Sequence, residues 1–63
     1  YSSFNNELGI IAEYESDYIA AYNFYKLAKK NALNPNFIDN MNANMKRVKD
    51  KMSIFEKLKL KLN

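Results

Sequence analysis

Apolar positions recur at helical spacing along most of this 63-residue chain. In the first segment Phe4, Leu8, Ile11 and Ala12 are separated by steps of four, three and one, which lays them along one face of a helix. Ser2 or Ser3 suits the capping position before it. The run Glu13-Tyr14-Glu15-Ser16-Asp17 breaks that stripe, and Asp17 fits the N-cap of a second helix because its carboxylate accepts a free backbone N–H. The pattern therefore predicts a turn near Glu15 and Ser16. A second stripe follows through Tyr18, Ala21, Tyr25 and Ala28, with Phe24 and Leu27 beside it. Lys26, Lys29 and Lys30 complement the negative end of that helix. It should end between Asn31 and Leu33, because the residue before a proline avoids the helical region while Pro35 itself suits a first helical turn.

Beyond Pro35 the residues Phe37, Met41, Met45, Val48, Met52 and Phe55 form one seam with steps of four, four, three, four and three, uninterrupted by Gly or Pro. This spacing predicts a third helix from Asn36 to Leu62, about 40 Å long against about 21 Å for each of the first two. The alternation in Leu58-Lys59-Leu60-Lys61-Leu62 also fits an extended tail after Phe55, although continuity of the seam favours a helix. The expected fold is all-α: a helix-turn-helix hairpin over residues 1–34, then a long basic amphipathic helix over residues 35–63, in a single domain. The short helices do not reach the end of so long a third one. Met52, Ile54, Phe55, Leu58 and Leu62 are thus expected to form an uncovered apolar patch, each side chain worth roughly 1.5–3 kcal/mol if buried. That patch should pack on another copy of the chain or on a neighbouring segment of a longer parent protein; a frayed tail is the alternative.

A chain this short buries only about 60% of the surface that its unfolded form exposes. It has no Cys and no His, so neither a disulfide nor the usual structural zinc site supports it, and helix packing must carry the fold. Residues 1–34 carry three Lys against four acids, whereas residues 35–63 carry seven Lys or Arg against three acids. The basic character therefore belongs to the third helix. No apolar run approaches the roughly 20 residues of a membrane span, and the chain reads as a soluble one with the cytoplasm favoured. Its start at Tyr1, without Met, reads as a piece of a longer protein.

Candidate chemistry is sparse. Without His, Cys or a phosphate-cradling glycine loop the chain lacks the groups that acid–base and nucleophilic catalysis use, so no enzyme, no cofactor and no small-molecule substrate is expected. Glu13, Glu15 and Asp17 do not have the spacing of a calcium loop and read as exposed carboxylates near a helix junction. Lys46, Arg47, Lys49 and Lys51 are the residues that would meet the phosphates of nucleic acid or of an anionic membrane. Asp39, Asp50 and Glu56 interrupt that charge, however, and no stacking aromatics are interleaved with it, which disfavours both.

The order Leu8-Gly9, Asp17-Tyr18, Ala21, Tyr25, Ala28 and Pro35 resembles a single tetratricopeptide repeat. The small residues Gly9 and Ala21 would let the first two helices approach closely, and Ala28 would leave room for the third. Asn5 stands where the family often has Trp, Ala12 where it often has Tyr, and Ser16 where it often has Gly, while Pro35 falls two residues late. Met41, Asn44, Met45 and Val48 with their trailing lysines look like the helix that closes such an array. The resemblance implies a scaffold that binds a protein or peptide on a concave surface. Asn6, Ile10, Glu13 and Tyr14 would face that surface from the first helix, and Asn40, Ala43, Arg47, Asp50 and Lys51 from the third. Ile10 falls where the family's carboxylate clamp has Asn, so contacts of mixed apolar and polar character are expected instead. The second and third helices are also similar to a microtubule-interacting and trafficking domain, which would imply a partner helix as ligand, but Leu8-Gly9 and Asn34-Pro35 fit the repeat better.

Overall fold

A computed structural model describes residues 1–62. The chain folds into four α-helices, α1 (Ser2–Tyr14), α2 (Tyr18–Lys30), α3 (Pro35–Lys51) and α4 (Ile54–Leu62), and no strand occurs among the described residues. None of these helices is long and apolar enough to cross a membrane.

The junction between α1 and α2 is built from local chemistry. Ser16 takes a φ of 60°, the left-handed conformation for which glycine is the usual choice. Its N–H donates to the Glu13 carbonyl at 3.0 Å and that of Asp17 to the Ala12 carbonyl at 2.9 Å, the paired bonds of a Schellman C-cap. The Asp17 carboxylate then accepts from the N–H of Ala20 at 3.3 Å and opens α2. At the next junction the Asn34 side chain accepts from the N–H groups of Asn36 and Phe37, with Pro35 in the first turn of α3. The expected serine cap of α1 does not form: the capping position is Tyr1, which makes no side-chain cap bond, and Ser2 already lies inside the helix.

Ala21, Tyr25 and Ala28 of α2 are fully buried and form a core with Ala12, Met41, Val48 and Met52. Two parts of the expected apolar pattern are corrected. On α1 the face turned inward carries Gly9 and Ala12, while Phe4 and Ile11 remain 59% and 55% exposed. The cause is close approach: a Cβ placed on Gly9 would stand only 2.6 Å from the Tyr25 ring, so α1 meets α2 through small residues and its large ones turn aside. On α2, Leu27 also lies outside the core.

The single long third helix is also corrected. α3 ends at Lys51, Met52 is extended with φ −72° and ψ 145°, and a new helix starts at Ile54. A capping box causes the break. The Ser53 N–H donates to the Glu56 carboxylate at 2.9 Å while the Glu56 N–H donates to Ser53 Oγ at 3.2 Å, satisfying donors that a helix start leaves free. The joint lets α4 turn back toward α2, with Leu60 half-buried against the core, and the longest dimension of the fold is 33 Å, shorter than the helix expected from spacing. Met52 is consequently buried at 6% exposure and Phe55, expected to continue the seam, is 78% exposed.

Candidate functional site

α3 presents Arg47 and Lys51 one turn apart, on the side of the helix that faces the end of α1. Between them lies Glu13. Arg47 donates from Nε to Glu13 Oε2 at 2.9 Å and from Nη2 to Oε1 at 2.8 Å, a two-pronged pairing that fixes the plane of the guanidinium. Its Nη1 donates to Asn44 Oδ1 at 2.9 Å, and Lys51 Nζ reaches Glu13 Oε2 at 2.9 Å. The Tyr25 hydroxyl donates to Glu13 Oε1 from below, also at 2.9 Å. One carboxylate thus joins three helices. Lys51 also lies over the ring of Tyr18, 5.9 Å from its centre.

The electrostatics follow from this packing. Arg47 first, with Lys51 and the Tyr25 hydroxyl adding to it, holds Glu13 down to about 2, against the upward push of its partial burial. Burial and the adjacent carboxylate push the Tyr25 hydroxyl up to about 12, and the same carboxylate raises Arg47 further. At neutral pH the carboxylate is ionised, the phenol is protonated, and two cations meet one anion. One positive charge is left in excess, carried by side chains nearly half exposed, at 47% for Arg47 and 45% for Lys51.

Above this node lies a concavity of about 330 Å³ lined by Ile10, Glu13, Tyr14, Tyr25, Arg47 and Lys51. Of the residues expected on a binding surface, Ile10, Glu13, Tyr14, Arg47 and Lys51 are brought together here. Asn6 and Asn40 are not among the lining residues. Asn6 does not face outward as expected, since its Oδ1 is buried without a hydrogen-bond partner, and Asn40 is exposed elsewhere on α3. Glu13 is likewise no outward side chain, being only 14% exposed and held between its cations. Tyr14, by contrast, is 88% exposed and Ile10 is exposed beside it, so neither is absorbed by α3.

Tyr25 stands in the apolar stripe of α2 and fills the core, but its hydroxyl belongs to the site. The available signal is the polar tip of an aromatic at a fully buried position, which needs an acceptor. Of the three junction acids expected to be exposed, Glu13 is held inward by Arg47, Asp17 accepts at its own helix start, and Glu15 is exposed. Lys46 pairs with Asp50 at 3.3 Å, so the cations of α3 do not form one free basic patch. Of the residues expected to form an uncovered patch at the C-terminal end, Ile54, Phe55, Leu58 and Leu62 are exposed and Met52 belongs to the core. In comparisons with known proteins, the chain matches no family model, no curated protein and no solved structure.

Proposed function

We propose that this chain is a protein-interaction module of the tetratricopeptide type, which holds a peptide segment in the concavity between α1 and α3. The observation that carries this reading is the pairing of two kinds of surface at one place. Ile10 and Tyr14 stand exposed on one wall, and Arg47 and Lys51 stand on the other with more positive charge than Glu13 cancels. An exposed aromatic next to a fixed guanidinium combines the side-chain types that dominate binding energy at protein interfaces. The complementary ligand is a segment with an apolar side chain next to an acidic residue. The cations are already fixed by Glu13 and Asn44, so little of the binding energy is spent on ordering them.

Selection of displayed random peptides on the immobilised protein, followed by anisotropy titration of the recovered sequences, tests this. Enriched peptides should pair an apolar residue with Asp or Glu. Tyr14→Ala, at a side chain too exposed to affect folding, should weaken them about tenfold or more. Failure to enrich any peptide, or affinity indifferent to Tyr14→Ala, would exclude the concavity as the docking site.

A further inference from the structure

Two apolar stripes lie outside the core and outside the concavity. On α4, Ile54, Phe55, Leu58 and Leu62 are all exposed and share an arc about 100° wide at a helical turn of about 100° per residue. Lys57 and Lys61 lie along one edge of that arc and Lys59 along the other, while Leu60 occupies the opposite side and packs on the core. Glu56, the single acid of the helix, is engaged by the Ser53 N–H. The rim of the stripe is therefore basic. On α1, Phe4, Leu8 and Ile11 fall at i, i+4 and i+7 with the fully exposed Tyr1 beside them, Phe4 and Ile11 exposed and Leu8 half-buried. Exposed Glu7 and Glu15 flank them, and α1 contains no Lys or Arg. The rim of this stripe is acidic.

We propose that the partner of the α4 stripe is the α1 stripe of a second copy of this chain, so that copies associate head to tail. Charge decides among the pairings. Two α4 stripes face to face would gather Lys57, Lys59 and Lys61 of both copies, and two α1 stripes would gather Glu7 and Glu15 of both. The crossed pairing lays apolar on apolar and places lysines beside glutamates. The stripes also match in length, about 10 Å from Phe4 to Ile11 and about 12 Å from Ile54 to Leu62. A contact between two different patches leaves an unused α1 at one end and an unused α4 at the other, so association continues into a chain or closes into a ring. The concavity adjoins this contact: Ile10 and Tyr14 turn away from Phe4 and Leu8, on the Glu7 side of α1. The patches are small, below the roughly 1,200 Å² at which stable complexes begin, so association is weak and builds with concentration.

Sedimentation velocity of the full chain over a wide concentration range, with two blocked variants, tests the arrangement. The wild type should sediment faster as concentration rises. Phe55→Glu, which spoils the α4 stripe, and Ile11→Lys, which spoils the α1 stripe, should each be monomeric with unchanged helical circular dichroism. Their equimolar mixture should form a 1:1 dimer, because each supplies the stripe that the other lacks. Should either variant lose its helicity, charge reversal at exposed positions replaces it. Glu7→Lys with Glu15→Lys should weaken association at least about threefold, and adding Lys57→Glu with Lys59→Glu should recover it. A wild type that stays monomeric to its solubility limit overturns the proposal. So does an Ile11→Lys variant that still self-associates, or an α1 charge reversal without effect. Binding of the monomeric wild type to phosphatidylserine vesicles, lost in Phe55→Glu, would assign the α4 stripe to a lipid surface instead.

Discussion

Gly9 and Tyr25 define how closely the first two helices can approach. Replacing Gly9 by alanine adds helix propensity worth about 1 kcal/mol, yet the new methyl would overlap ring atoms of a side chain that is fully buried and tied at its hydroxyl to Glu13. Overpacking of this kind costs about 1–3 kcal/mol, and the ring has nowhere to swing. Gly9→Ala is therefore expected to lower stability by about 1 kcal/mol, read as a fall in the midpoint of urea denaturation. Ser16 gives the opposite result. Its left-handed backbone costs a non-glycine residue roughly 1–2 kcal/mol, while glycine adds back some unfolded-state entropy. Ser16→Gly should stabilise by about 0.5–1 kcal/mol, raising the thermal midpoint by about 2–8 °C in a domain this small. A lower midpoint would mean that the Ser16 side chain contributes more than its backbone costs.

Among the helices, the boundaries marked by polar caps were legible in the sequence. Asp17 and Asn34-Pro35 placed the starts of α2 and α3 because each carries an acceptor where a helix needs one. The start of α4 carried a signal of the same kind in Ser53-x-x-Glu56, but the apolar spacing runs through it without a skipped step. Periodicity measures where side chains point and does not register a single extended residue at Met52. The reverse happened on α1, where the apolar spacing identified a helix and its Ala12 but put Phe4 and Ile11 inward as well, because glycine has no weight in a hydrophobic pattern and the close approach at Gly9 came only with the repeat-like order of small residues. Ile10, Glu13, Tyr14, Arg47 and Lys51, which the resemblance puts on one surface, line one concavity, whereas the Tyr25 hydroxyl and the inward turn of Glu13 depend on packing between helices. Removing the box tests what makes α4 separate: Ser53→Ala should cost about 1 kcal/mol, expressed as faster amide exchange confined to α4. Uniformly faster exchange through α2 and α3 would show that α4 is not an independent unit.

For the molecule as a whole, the node at Glu13 sets the pH range of stability. Glu13 titrates at about 2 when folded against an ordinary value of 4.5, so its contribution is complete above about 4.5 and disappears as pH falls toward 2. At about 1.4 kcal/mol per unit the displacement corresponds to about 3 kcal/mol, and the half-exposed partners reduce the expected effect to about 1–2 kcal/mol. Tyr25 acts at the other end. Its hydroxyl moves from 10.0 to about 12, so the stability it provides is complete below 10 and is lost as pH rises from there. Denaturation midpoints measured against pH should form a plateau with two falling limbs. In Glu13→Gln the acid limb should flatten, and persistence of the full limb would place the titrating group elsewhere.

The same carboxylate has a kinetic consequence. Arg47 and Lys51 lie 34 and 38 residues along the chain from Glu13, whereas the turn that joins α1 to α2 closes within a few residues. Contacts that span so much chain carry the larger closure entropy and form after local ones have begun to hold. The ion-paired clasp is then a late lock on a pair of helices already meeting, and it acts mainly by slowing the chain's escape from the native state.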